Sequence, residues 1–391
     1  MAPDAETKKP DLGRVLVVGG CGMLGHHVVR LLLRDYAAAV SVLDLRCTAN
    51  RRPDADGVTY HEGDITDAAR VAAVLAEVRP ETVIHTASPA PQAAGKVADA
   101  LFRRVNVDGT RTVLDACRAA GVKALVYTSS ASVVSDNRSD LVNADERWPV
   151  VRGKAQSEYY SETKAAAEAL VLAANANPDT NTGPSPPDAP RFLTAAIRPS
   201  AIFGEGDTML LHHLLQVHRQ GRTRWQLGDN TNLFDFTYVE NVAHAHLLAA
   251  RALLATHARA GAPPLDHERV DGEVFFVTND SPVYFWDLAR AVWRAAGSEA
   301  AADAWVLPRG AGLVLGLLGE AAAAALRRPP TLTRQRVVYA CMTRYYNIAK
   351  AKRRLGYRPL VPLDEAVRQS VRWTLAHEAE GEAARALKKG Q

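Results

Sequence analysis

The sequence predicts an α/β fold, a doubly wound parallel sheet followed by a smaller C-terminal α/β lobe. Three observations lead there. Short apolar runs at residues 15–18, 40–44, 82–86, 124–129 and 193–198 alternate with helical runs at 23–34, 67–78, 97–119 and 158–173. The strand runs are largely apolar rather than alternating, as in strands buried on both faces of a parallel sheet. A glycine-rich turn, VLVVGGCGMLG over residues 15–25, joins the first strand to the first helix.

Composition agrees with this. The chain has 391 residues, 47% hydrophobic and 23% charged, enough for one large domain and a smaller lobe around a substantial core. With 47 basic against 43 acidic residues the net charge is +4, too balanced to argue for a nucleic-acid partner. Cys21, Cys47, Cys117 and Cys341 are scattered, which argues against a zinc site or a disulfide framework. Residues 1–12 read as a disordered polar leader, not a signal peptide. The stretches 175–190 and 260–272 read as surface insertions, and 376–391 as a fraying helical tail. Segment 310–326 approaches the length of a membrane span, but Glu320 breaks it and it carries four glycines.

The glycine turn carries chemistry. Gly19 permits a tight turn, Gly22 lets the backbone approach a pyrophosphate, and Gly25 lets helix and strand pack closely. Met23 and Leu24 open the helix, whose free N–H groups attract phosphate. Such a turn alone can be structural. Asp44, ending the second strand 19 residues after Gly25, decides for a dinucleotide, because a carboxylate there binds the adenosine ribose hydroxyls. The sheet is therefore read as Rossmann-like. Asp44 favours NAD, and Arg46 leaves NADP open. Asp64 and Ile65 are placed at the adenine, with a helix cap as the alternative for Asp64, although Thr66 and Asp67 suit capping better. Ala87 and Ser88 line the nicotinamide side. His85 reads as a packed strand residue, and His26 and His27 as helix surface.

Tyr160 and Lys164 share a helix face at i and i+4. A free phenol, with a pKa of about 10, is a poor base near neutrality. An ammonium and an oxidised nicotinamide beside it are expected to lower that value, so that Tyr160 removes a hydroxyl proton while hydride leaves carbon. Lys164 would also hold the nicotinamide ribose. Tyr159 is the off-by-one alternative, but its i+4 partner is Thr163. Ser130, in YTSSASV at a strand end, is assigned as the hydroxyl that bonds the substrate oxygen, with Ser129 as the alternative. Asn106 sits mid-helix, where asparagine is unfavourable. It either organises a water near Lys164 or faces solvent. No metal ligands are assigned.

Together these residues resemble the extended short-chain dehydrogenase/reductase superfamily over residues 13–373. The strings GGCGMLGHHVV, YTSSASVV, YSETKAAAE, LFDFTYVENVAHAHLL, VTNDSPVYFWDLARAVW and TRYYNIAKAKRRLGYRPL are similar to its 3β-hydroxysteroid dehydrogenase branch, and most to the fungal decarboxylating sterol-4α-carboxylate 3-dehydrogenases. Residues 13–200, rejoined by 235–257, then form the NAD(P)-binding domain, and 201–234 with 258–375 the substrate-binding lobe. The resemblance implies that residues 198–204 cross from cofactor to substrate, with Pro199 and Ile202 at the cofactor. It implies a sterol or steroid-like substrate whose 3β-hydroxyl is oxidised beside a 4α-carboxylate. The resulting β-keto acid loses carbon dioxide without a metal. It also implies peripheral contact with the cytoplasmic face of the endoplasmic reticulum through 310–326, against a cytoplasmic location, and a homodimer or a sterol C-4 demethylation complex. That segment is alanine-rich here, whereas the family's is more aromatic, which leaves a substrate-lid helix as the alternative. Competing activities are a 3β-hydroxysteroid or triterpenoid dehydrogenase without decarboxylation, an NDP-sugar epimerase or dehydratase, and a non-catalytic dinucleotide sensor. Val134 and Ser135 stand where sugar epimerases usually carry Tyr-Gly, and the Tyr160/Lys164 pair speaks against the sensor.

Overall fold

The computed structural model describes residues 9–89, 96–176, 191–259, 262, 264–299, 304–326, 328, 330 and 332–389. Residues 1–8 of the expected leader, most of the 175–190 insertion, and 260, 261 and 263 of the second insertion lie outside them.

The first half is a strand–helix alternation: β1 Asp11–Val18, α1 Met23–Asp35, β2 Ala37–Asp44, β3 Thr59–Glu62, α2 Ala68–Val78, β4 Thr82–His85, α3 Lys96–Phe102, α4 Thr110–Ala119, β5 Ala124–Thr128, β6 Leu141–Ala144, α5 Tyr159–Ala173 and β7 Leu193–Pro199. Between α3 and α4 the helix widens into a π-type turn over Arg103–Gly109. The second half holds β8 Ile202–Phe203, α6 Leu210–Arg219, β9 Trp225–Leu227, β10 Leu233–Phe234, β11 Thr237–Tyr238, α7 Val239–Ala258, β12 Glu273–Val277, β13 Val283–Tyr284 and α8 Phe285–Ala295. It closes with β14 Trp305–Leu307, α9 Arg309–Leu326, α10 Arg334–Cys341, β15 Arg344–Tyr346, α11 Ala349–Arg354 and α12 Leu363–Lys389.

Among the described residues, seven parallel strands form the main sheet in the order β3-β2-β1-β4-β5-β7-β12. The order reverses between β1 and β4, and a crevice opens there at the carboxyl ends of the strands. Side-chain alternation along β1 builds both faces. Val15 and Val17 pack with α1 and α7, while Leu16 and Val18 pack with α2, α4 and α5. Burial on both sides is why these strands read as continuous apolar runs. A four-stranded sheet, β13-β10-β15-β6, stands beside this frame.

Several expected boundaries move. Leu12 is 1% exposed and belongs to β1, so the strand begins inside the expected leader. Glu273–Val277 was assigned to the lobe, yet it pairs with β7 as the last strand of the main sheet. Its Phe275, Phe276 and Val277 are sealed from water by residues of α7, β15 and α11, although the strand lies at the sheet edge. The tail is one helix continuous with residues 363–375. His27 is not helix surface. It is fully buried and its ring bonds the Glu205 carbonyl, because α1 is covered on that side by the chain around residue 205.

Candidate active site

The dinucleotide cradle forms where the sequence puts it. Gly19 has φ +84° and approaches β4 so closely that a Cβ there would sit 2.6 Å from the Ala87 nitrogen. A Cβ on Gly25 would overlap the Gly19 carbonyl. Gly22 precedes α1, and no side chain caps the helix, so its first N–H groups are available to an anion. Met23 is half-buried at the helix start, while the Leu24 side chain packs into the core and leaves only backbone for a ligand. Asp44 is half-buried and accepts the Cys21 N–H at 2.9 Å through one carboxylate oxygen. Asp64 accepts from Thr66 N–H and hydroxyl at 2.9 and 2.8 Å, and Asp67 caps α2. The Ile65 side chain packs against Gly109. Pro199 ends β7 and Ile202 opens β8, across the strand ends from Gly19. A glycine cradle with no room for side chains, an uncapped helix and a carboxylate at the second strand together fit a dinucleotide.

The proton-handling groups gather on the other side of the crevice. Tyr159 is 38% exposed and points out, whereas Tyr160 is half-buried with its ring edge-on to Phe102 at 5.5 Å. The Tyr160 hydroxyl lies next to Ser88. Ser88 Oγ donates to Asn106 Oδ1 at 2.9 Å, Asn106 Nδ2 donates to Thr163 Oγ1 at 3.0 Å, and Thr163 Oγ1 donates to the Tyr160 carbonyl at 2.8 Å. The chain thus runs from beside the Tyr160 hydroxyl to the first turn of α5. Asn106 is 1% exposed, so it does not face solvent. The widened π-type turn aims its amide inward.

Ser130 is partly exposed and bonds Ser132 Oγ at 2.8 Å, and Ser132 bonds Ser161 at 2.8 Å, next to Tyr160 in the chain. Ser129 is sealed at 2% exposure and donates to Glu168 at 2.6 Å, so it is tied up below the crevice. Lys164 Nζ donates to the Thr128 carbonyl at 2.7 Å and lies over the Tyr127 ring at 4.8 Å. Glu168, one turn on, is clamped by Arg198 Nε and Nη2 at 2.8 and 2.6 Å. Thr128 also meets His246 Nε2 at 2.7 Å, and burial brings that imidazole down to about 4, so it stays neutral.

The charges differ from the expected pairing. Burial pushes the Tyr160 phenol up to about 12, opposed by the Ser88 hydroxyl and reinforced by Glu158. Burial brings Lys164 down to about 7, opposed by Glu168. Tyr160 and Lys164 share a helix face, but the strand-end carbonyl draws the ammonium away from the phenol. The lowering of the phenol expected from Lys164 is absent in this arrangement.

A family model, the 3-beta hydroxysteroid dehydrogenase/isomerase family, matches residues 16–309. The chain belongs to this family. A decarboxylating sterol-4-alpha-carboxylate 3-dehydrogenase of Saccharomyces cerevisiae is 40% identical over 365 residues, covering 92% of this chain and 97% of that protein. The mouse protein of that name is 38% identical, covering 91% and 89%. Among solved structures, an NAD+ complex of Bordetella bronchiseptica WbmH has a TM-score of 0.66 at 18% identity, covering 93% and 98%, and supports the fold alone.

Within this 3β-hydroxysteroid dehydrogenase family member, the match ends where α9 begins. From the sequence, Ser88 belongs only to the nicotinamide side and Arg198 only to the crossing segment, and Thr163, Glu168 and Ser132 have no role. Nothing local marks them. Spacing within α5 hints at Glu168, one turn beyond Lys164.

The displaced lysine gives a testable sign. Its pKa falls from 10.5 to about 7 on folding, so between those values the unfolded chain binds more protons than the folded one. Stability owed to this residue is therefore lowest below about pH 7 and rises as pH climbs toward 10.5. Urea titrations of wild type and Lys164→Met at about pH 7 and about pH 10 should show the difference moving in favour of wild type at the higher pH. A constant difference would mean that Lys164 is not held in its neutral-favouring burial.

Proposed function

We propose that this protein is an NAD-dependent enzyme that oxidises the 3β-hydroxyl of a 4α-carboxysterol to the 3-ketone with loss of carbon dioxide. One observation carries the reading. Tyr160, Ser130 and Lys164 gather at the strand ends beside the glycine cradle, in a chain 40% identical to a decarboxylating sterol-4-alpha-carboxylate 3-dehydrogenase along nearly its whole length.

Gly19, Gly22, Gly25 and the start of α1 would hold the pyrophosphate, and Asp44 the adenosine ribose. Asp44 supports NAD over NADP, since a 2′-phosphate would meet its carboxylate. Bound there, the cofactor supplies a hydride acceptor. Ser130, partly exposed, donates to the substrate oxygen. Tyr160, in its phenolate form, takes the hydroxyl proton and is left as the neutral phenol. The Asn106 bridge fixes where that phenol stands. In the β-keto acid formed, the C4–carboxylate bond breaks, carbon dioxide leaves, and the electron pair delocalises as an enolate onto the new ketone. That step needs no further base.

The features of α9 support a location at a membrane surface. Gly316 lies so close to Arg334 that a side chain would collide there, Gly312 and Gly319 sit tightly against Val337 and the Leu332 carbonyl, and Glu320 accepts from Arg334. The other side exposes Val314, Leu315, Leu317 and Leu318, beside an exposed Trp225–Trp305 ring pair on β9 and β14. The helix is long and apolar enough to cross a membrane, yet its glycine side is already packed. A helix apolar on one side with flanking tryptophans suits lying at the lipid surface, here the cytoplasmic face of the endoplasmic reticulum.

Two experiments test these readings. Purified protein with NAD and a 4α-carboxysterol labelled in the carboxyl should release labelled carbon dioxide, NADP should serve poorly, and Tyr160→Phe should lose roughly 100-fold or more. Oxidation with no label released would remove the decarboxylating activity. For the location, Leu315→Ser with Leu318→Ser should leave the protein free of phosphatidylcholine/phosphatidylinositol vesicles that float the wild type. Equal flotation would place the contact elsewhere, and no flotation of wild type would support a cytoplasmic location.

A further inference from the structure

Among the described residues, Arg344 is a shielded cation with no carboxylate paired to it. Arg344 opens β15 and pairs with Phe234 and Leu141 of the neighbouring strands. It is 7% exposed. Its Nε donates to Tyr346 Oη at 2.9 Å, and its guanidinium lies 5.9 Å from the centre of the Tyr339 ring. Among the described residues, no carboxylate lies within ion-pair distance of it. Arg198, also shielded, is by contrast clamped to Glu168 at 2.6 Å. The Arg344 Nη atoms are not among the sealed, partnerless polar atoms, so they reach open space. A guanidinium taken out of water without a counter-charge is destabilising, and an anion arriving with a ligand would complete it.

Its position says which ligand. Tyr346 Oη donates onward to the Ala131 carbonyl at 3.4 Å, so two hydrogen bonds lead from Arg344 to the turn that carries Ser130. From the α5 side, Glu158 acts electrostatically on both Arg344 and Tyr160. The Ser130 turn is bonded through Ser132 to Ser161, the neighbour of Tyr160, so the guanidinium and the phenol both border that turn. Glu158, at the start of α5, accepts from Gln335 at 2.5 Å and from Ser161 at 3.3 Å. An anionic group reaching the Ser130 turn is attracted toward Arg344.

We propose that Arg344 is the specificity-determining residue that recognises the substrate's carboxylate, next to the hydroxyl that Ser130 and Tyr160 engage. This rests on the carboxysterol reading above. A planar guanidinium fork matches a carboxylate in two parallel hydrogen bonds. The 3-hydroxyl and the 4-carboxylate stand on adjacent carbons, so their two recognising groups must share one small cleft, as Arg344 and the Ser130 turn do. The assignment also bears on product release. When the C4–carboxylate bond breaks, its electron pair stays with the ring as enolate and neutral carbon dioxide departs. The anion that Arg344 held is gone, so the product binds less tightly than the substrate.

The test compares two substrates on the full chain, a 4α-carboxysterol and the same 3β-hydroxysterol without the carboxylate, with NAD affinity and thermal melting as fold controls. Arg344→Met should lower kcat/KM for the carboxylated sterol by roughly 100-fold, mostly through KM, while oxidation of the uncarboxylated sterol stays within a few-fold. Arg344→Lys, which keeps charge and fold with less reach, should lose less and retain part of the preference. A preference that survives in Arg344→Met, or equal losses on both substrates in both variants, overturns the assignment. A wild type that shows no preference for the carboxylated sterol overturns the substrate reading itself.

Discussion

The side chain of Asn106 is bonded at both ends inside the protein. Its carbonyl takes the Ser88 hydroxyl from the end of β4, and its amide gives to Thr163 on α5. At 1% exposure it is shut off from bulk solvent. A buried amide with all its partners is rigid, and the same amide with one partner missing is costly. The two elements it joins are the strand end that meets the glycine cradle and the helix that carries Tyr160. One asparagine thus ties the strand end beside the glycine cradle to the first turn of the helix that carries Tyr160. The π-type turn makes this possible, because a regular helix from Lys96 to Ala119 would rotate position 106 to another bearing.

Beneath that bridge lies a buried sequence of charges. Lys164, Glu168 and Arg198 are each no more than 3% exposed, and they alternate in sign beneath the end of β5. Glu168 is saturated by Ser129 and Arg198, while Lys164 leans on the Thr128 carbonyl. The arrangement spends the carboxylate on Arg198 and leaves the lysine only a weak counter-charge. Desolvation therefore wins at Lys164, and its ammonium is easily deprotonated. At Tyr160 the same low-polarity surroundings act in the opposite direction and hold the proton on.

How much of this could be read beforehand depends on the distance over which each feature is encoded. Gly19, Gly22, Gly25 and Asp44 are local: strand, turn and helix fix them, and the structure shows the close approaches those glycines permit. Tyr160 and Lys164 share a helix face, as the i, i+4 spacing requires, but spacing does not say where a four-carbon side chain ends. The Thr128 carbonyl that captures it sits 36 residues away. Asn106 stood out as an awkward residue in a helix, and its partners, from β4 and α5, appear only when the sheet is assembled. Strand β12 was misplaced because its partner, β7, lies on the far side of a long helix and an insertion. Arg344 was invisible for a similar reason. Within TRYYNI it looks like a surface charge on an amphipathic strand, and only the packing of Tyr339 and Tyr346 reveals that it is shielded.

The account stands or falls on whether the Asn106 bridge sets the position of the base. Rapid mixing of Asn106→Ala with NAD and a 4α-carboxysterol, following the first turnover of hydride transfer, addresses this directly. The cofactor should bind as in wild type, since the glycine cradle is untouched, while the first-turnover rate should fall by roughly 100-fold. Hydride transfer at the wild-type rate, with the bridge removed and the fold intact, would contradict the account.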